Sequence, residues 1–164
     1  MSYDGRAIAN YILDVCSELD RPVTNLALQK ITFFCHAWCL AQLRRPLIRH
    51  EFEAWEYGPV LQYLYHDFSK HGSEPITSRA TGVNPATGRK EIVQADLDQD
   101  VRQLLDEVVA FYSRRSPSEL VRLSHVPDGP WFKVWNHQAD LNPGMRIKNA
   151  DIESYFVTRD VPFT

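Results

Sequence analysis

The sequence predicts a mainly α, single-domain helical bundle around one buried helix (24–43), with a small β-hairpin excursion at about 75–95. Three observations carry this expectation. Between Leu26 and Ala41 the apolar residues run nearly all the way round a helical wheel, as in a helix covered on most sides. The segments 3–20 and 96–112 each carry one apolar face opposite a polar one, as neighbours packed on such a centre do. At 164 residues, 44% hydrophobic and 12% aromatic, the chain has the size and apolar content of one core, so 1–164 is read as a single domain.

In the first segment Ile8, Ile12, Val15, Cys16 and Leu19 recur at helical spacing, with Asn10, Asp14 and Glu18 assigned to the opposing polar side. Thr24 is placed to cap the central helix and Val23 to staple onto Leu28; Arg45-Pro46 ends that helix. The stretch 51–60, Glu51-Phe-Glu-Ala-Trp-Glu-Tyr-Gly-Pro-Val60, reads as an extended segment breaking at Gly58-Pro59. Pro59 is then suited to start a helix from Val60 to His71, since a first-turn proline loses no hydrogen bond. From Pro75 to Ala95 the chain is polar and turn-rich, with Asn84-Pro-Ala-Thr-Gly88 between two extended runs, the pattern of a hairpin.

Val101, Leu104, Leu105, Val108, Val109 and Tyr112 line one face of the next helix. Asp96, Asp98 and Asp100 at its start and Arg114-Arg115 at its end complement the helix dipole. Ser116-Pro-Ser-Glu119 is a capping box opening a helix to about Ser124. The chain turns at Pro127-Asp-Gly-Pro130, carries Trp131, Phe132 and Trp135 in a short piece, and ends in a helix at 150–156.

Charge and cysteines narrow the function classes. With 18 basic and 21 acidic residues, a net of −3 and no basic run longer than a pair, DNA binding through clustered cations is not expected. The polar start and the lack of a long apolar run predict neither a signal peptide nor a membrane span. Cys16, Cys35 and Cys39 are odd in number and fall in helices, which argues against a disulfide framework and for a cytoplasmic protein.

The chemistry-bearing residues each have a plain alternative. Glu51, Glu53 and Glu56 suit general acid–base work only if two of them meet in a cleft that splits their pKa values. In an extended segment Glu51 and Glu53 share one face and Glu56 takes the other, where Arg44, Arg45 or Arg49 can pair with it, so solvated carboxylates are the favoured reading. Cys35, His36 and Cys39 have zinc-ligand spacing within one helix, yet no second pair completes the set, and buried hydrophobic cysteines account for them better. His125 beside Ser124 lacks an orienting third group or a GxSxG signature, which favours a histidine that ties down the turn. Gly82 to Gly88 has neither GxGxxG nor a P-loop lysine. No cofactor, metal or small-molecule substrate is expected. The second reading from the residues is a small hydrolase or metal-dependent enzyme using Glu53, Glu56, His125 or Cys35/Cys39.

The order of motifs is more specific than any one of them. Leu26-Ala-Leu-Gln-Lys-Ile31 leading to Trp38, then Phe52-Glu-Ala-Trp-Glu-Tyr-Gly-Pro-Val60, then Leu120-Val-Arg-Leu-Ser-His-Val-Pro-Asp-Gly-Pro-Trp131 and Ile152-Glu-Ser-Tyr-Phe156, resembles the Panacea domain family. Ser124, Phe33-Phe34 and Asp128-Gly129 depart mildly from its pattern. The resemblance implies a non-enzymatic antitoxin of a toxin–antitoxin or phage-defence module that binds a cognate protein toxin. For SocA-type members it also implies an adaptor bringing the toxin to the ClpXP protease. Under it, Gln29, Lys30, Trp38, Trp55, Gly58, Pro59, His125 and Trp131 form the structural motif, with Trp55 and Tyr57 packed inward at a corner. Glu53, Glu56, Tyr57, Tyr63, Tyr65, Arg79, Arg89 and Lys90 are the candidate partner-binding residues.

Overall fold

The computed structural model describes residues 2–138 and 144–163. Helix α1 (Gly5–Glu18) is capped by the Asp4 carboxylate, which accepts from the Arg6 amide at 2.9 Å. Helix α2 (Asn25–Leu43) starts as the sequence predicts, with the Thr24 hydroxyl accepting from the Ala27 amide, and stops where Arg44 turns left-handed. A two-residue turn joins strand β1 (Phe52–Trp55) to β2 (Gly58–Val60), and α3 (Gln62–Phe68) with a 3₁₀ turn (Ser69–His71) follows. The excursion is a hairpin of β3 (Thr81–Val83) and β4 (Lys90–Ile92). Then come α4 (Gln99–Tyr112), α5 (Pro117–Ser124), α6 (Pro130–Trp135), β5 (Arg146–Ile147) and α7 (Asn149–Phe156).

The mainly α architecture is the expected one, and α2 is its axis. Helices α1, α3, α4, α5 and α7, together with β2, pack around it. Almost every α2 side chain is buried, including the polar Asn25, Gln29, Lys30, Thr32 and His36. On the α4 side Phe34 stacks on Tyr112 with ring centroids 4.2 Å apart, and the Trp38 indole donates to the Tyr112 hydroxyl at 2.9 Å. The α5 capping box forms as its residues dictate, Ser116 and Glu119 each accepting from the other's amide. Among the described residues no helix is long and apolar enough to cross a membrane.

Several expectations are corrected. Asn10 does not sit on the polar side of α1: it is buried and holds the excursion. Its Nδ2 donates to the Ala80 and Val93 carbonyls, both at 2.9 Å, and its Oδ1 accepts from the Ala80 amide at 2.8 Å. A side-chain amide can satisfy both donor and acceptor at a strand end, which outweighs its polarity. Pro59 does not open a helix; it lies in β2 opposite Ala54, and α3 begins only at Gln62. Strand β2 is at the edge of a sheet ordered β2-β1-β5, where a residue without an N–H is tolerated. Strand β5, paired antiparallel to β1, is an element the sequence reading lacks; two residues give no periodicity to detect.

Candidate functional site

The residues of the 51–60 stretch form a corner clamped from three sides. From α2, the Lys30 Nζ donates to the Pro59 carbonyl at 3.0 Å, and the Gln29 Oε1 accepts from the Leu61 amide at 3.2 Å. Gln29 in turn donates to Asn25 at 3.1 Å, whose own Nδ2 donates to the Tyr65 carbonyl at 3.1 Å. From α6, the Trp131 indole donates to the Trp55 carbonyl at 2.8 Å. His125, the residue ending α5, lies flat on Trp131 with centroids 3.6 Å apart. Gly58, at φ +113°, fits where an added Cβ would come 2.6 Å from Ser124 Oγ and 2.7 Å from Lys30 Cε. The backbone passes so close that only glycine is accommodated.

Seven of the eight motif residues therefore meet at this corner. Trp38 does not; it packs on the far part of α2 against Phe156 and Phe163. The inward packing expected of Trp55 and Tyr57 is corrected as well. Trp55 is half-buried and Tyr57 is 59% exposed, because β1 ends at Trp55 and Tyr57 occupies the tight turn, beyond the alternation of the strand.

Beside the corner opens a groove of about 510 Å³. Asn25, Leu26, Gln29 and Lys30 line it from α2, Trp55, Glu56, Tyr57 and Val60 from the β corner, and Tyr65 from α3. The Tyr65 and Trp55 rings meet edge-on at 5.4 Å. Lys30 is fully buried, and burial alone brings its amine down to about 7.

The candidate partner-binding residues are thus divided. Glu56, Tyr57 and Tyr65 share the groove. Glu53 and Tyr63 face a separate cleft of about 570 Å³ with Glu51, His50 and His66. There the Tyr63 hydroxyl accepts from the Gly5 amide at 3.0 Å, and burial above all pushes it up to about 12. Arg79 is tied to Asp14 at 2.8 Å, while Arg89 and Lys90 project from the hairpin. Glu56 pairs with none of Arg44, Arg45 and Arg49: Arg44 goes to Glu153 and Arg45 to Asp98 and Asp100.

The residues of the enzymatic alternative do not converge. Glu53 and Glu56 line different clefts. Ser124 Oγ donates to the Val121 carbonyl at 2.8 Å rather than engaging His125. Burial, with nearby Lys30, lowers the His125 pKa, and its Nε2 is buried without a hydrogen-bond partner. Burial pushes the Cys35 thiol well up and Cys39 to about 11, which disfavours the thiolate needed for nucleophilic attack or metal binding. His36 Nδ1 accepts from the Ile48 amide and its Nε2 meets Asn149 Oδ1 at 2.8 Å, so both nitrogens are committed. Among the described residues no group of three His, Cys, Asp or Glu is placed to hold a metal ion.

The sequence alone places Lys30 in the motif without its burial and gives no role to Asn25. A usable signal was present for Lys30: a lysine in a helix apolar nearly all round has no exposed face to occupy.

Comparison with known proteins finds, by sequence, a likeness to antitoxins of one family. Residues 28–132, which contain nearly all of the clamped corner, match the family described as antitoxin SocA-like, Panacea domain. The protein named antitoxin SocA of Caulobacter vibrioides is 39% identical over 156 residues, covering 94% of this chain and 83% of that protein. No solved structure matches significantly.

Proposed function

The chain belongs to the antitoxin SocA-like, Panacea domain family, and from that premise we propose that it is the antitoxin of a toxin–antitoxin or phage-defence module, neutralising a cognate toxin by direct binding in the cytoplasm. The observation that carries this reading is the likeness to a named antitoxin along 94% of the chain. The site supports it: exposed Tyr57 and Tyr65 border a groove over a rigid corner, and aromatic anchors on a preorganised base are what protein interfaces use. The action is non-enzymatic, and the net charge of −3 favours a protein partner over DNA.

A second arm of the proposal is that the chain hands its bound toxin to the ClpXP protease, as a proteolytic adaptor. Inducing the neighbouring gene with and without this one, followed by pull-down, tests the first arm; rescue of growth with a copurifying complex is expected. Rescue without a complex would overturn direct binding. The second arm requires purified ClpXP to degrade the toxin faster when this chain is added, and equal rates would overturn it.

A further inference from the structure

Three features of the groove stand apart from the packing of the corner. The first is Lys30 itself. Its Nζ is given one hydrogen bond, to the Pro59 carbonyl, although even a neutral amine carries two N–H groups. Burial lowers the pKa of its amine, and among the described residues no carboxylate forms an ion pair with it. The second is the apolar and aromatic wall of Leu26, Trp55, Tyr57, Val60 and Tyr65, whose two tyrosines remain exposed. The third is Glu56 on the turn, an exposed acid lining the same groove that forms no ion pair among the described residues.

We propose that this groove receives a segment of the cognate toxin in which an apolar or aromatic side chain is flanked by a carboxylate, the carboxylate settling on the groove floor over the buried Lys30 and the ring packing between Tyr57 and Tyr65. This rests on the antitoxin reading and names the toxin's contact. Charge complementarity fixes the occupant: a buried amine without a counter-ion gains most from an acid brought into a water-excluding site. Glu56 at the rim complements a cationic residue elsewhere on that segment. A volume of about 510 Å³ admits a few side chains, so the groove is the anchor of a wider interface.

The test is the affinity of the purified chain for the toxin encoded by the neighbouring gene, measured from pH 7 to 9 for the wild type, Lys30→Met, Tyr57→Ala and Arg89→Ala/Lys90→Ala. The groups near Lys30 are few: Ser124 and His125 at the α5 end lie beside it, and Asn25, Gln29, Glu56, Tyr57 and Tyr65 line the same groove. Burial, with Lys30 nearby, holds the His125 pKa below its ordinary value. A carboxylate occupant requires the ammonium form. With the free amine at about 7, wild-type affinity must fall with pH, approaching tenfold per unit, and Lys30→Met must lose this slope.

Lys30→Met and Tyr57→Ala are each expected to weaken binding at pH 7 by about tenfold or more. Wild-type affinity that rises with pH would mean a purely apolar occupant and would overturn the carboxylate. Undiminished binding by Lys30→Met, with loss confined to Arg89→Ala/Lys90→Ala, would move the contact to the hairpin and overturn the groove while leaving the antitoxin reading standing. Absence of wild-type binding at every pH overturns both. Tyr57→Ala lies on an exposed turn, so it decides the matter even if Lys30→Met folds poorly.

Discussion

The indole Nε1 of Trp131 donates to the backbone carbonyl of Trp55 at 2.8 Å, tying α6 to the last residue of β1. The same Trp131 ring is covered by His125. One side chain thus joins the end of α5, the start of α6 and the turn that presents Glu56 and Tyr57. Trp131→Phe keeps the stacking partner and deletes the donor, leaving the Trp55 carbonyl without it. We expect a loss of about 1–3 kcal/mol in urea unfolding followed by circular dichroism. Trp131→Ala, which also empties a buried ring site, should cost about 3–5 kcal/mol. Equal stabilities for wild type and Trp131→Phe would show that the hydrogen bond is not what holds the corner.

Gly58→Ala tests the same corner from the backbone. At φ +113° an L side chain is strained, and the new Cβ would press on Ser124 Oγ at 2.6 Å and Lys30 Cε at 2.7 Å. Both neighbours are buried, so neither can simply swing into solvent. A cost of about 2–4 kcal/mol is expected. The double variant Gly58→Ala/Ser124→Gly should recover only the share of the loss due to the Ser124 hydroxyl, since the contact with Lys30 and the backbone strain remain. Full recovery would show that crowding by Ser124 alone, and not the dihedral, selects glycine.

How legible all this was follows from which forces act locally. The ends of α2 and α5 could be read because Thr24 and the Ser116–Glu119 box cap the backbone within three residues of themselves. The buried face of α4 followed from its spacing alone. Pro59 was misread because a proline after a glycine suits both a helix start and an edge strand; the choice was made by pairing with Ala54 and by Lys30, 29 residues earlier. Asn10 was misread for a related reason: its partners Ala80 and Val93 lie 70 and 83 positions away. The groove is likewise a product of long-range meeting, since α2, the β corner and α3 each supply only part of its wall.

Asn10→Ala should therefore act at a distance. It removes two donated bonds and one accepted bond, and leaves the buried Ala80 amide without its acceptor, while the Ala80 carbonyl keeps the Val93 amide at 3.1 Å. A global loss of about 2–3 kcal/mol is expected. The larger signature is local: amides at 80–93 should exchange with deuterium much faster, while those of α2 and α4 change only in proportion to the global loss. Uniform acceleration across the chain would mean that the hairpin is not a separately anchored unit.

Stability should depend on pH in two separate windows, both set by bases buried in neutral form on α2. His36 is held with its proton on Nε2 facing Asn149 Oδ1, because Nδ1 accepts from the Ile48 amide; burial, the larger cause, brings its pKa from 6.5 to about 4. Between these values the unfolded chain binds a proton that the folded chain does not. Stability therefore falls as pH drops from about 6.5 to about 4, by roughly 3 kcal/mol in total, and the loss is complete below that. Lys30 has the same sign in a higher window. Its pKa moves from 10.5 to about 7, so stability rises as pH increases across that interval and the penalty is fully present below 7. Lys30→Met removes the upper ramp and should make the protein more stable near pH 7, whereas the lower ramp persists. Imidazole resonances followed by NMR, together with urea midpoints from pH 3.5 to 9, check both. A His36 midpoint near 6.5 would contradict the first window. An upper ramp surviving in Lys30→Met would assign the second to another group, and the buried amine would then be excluded as the source of any pH-dependent toxin binding.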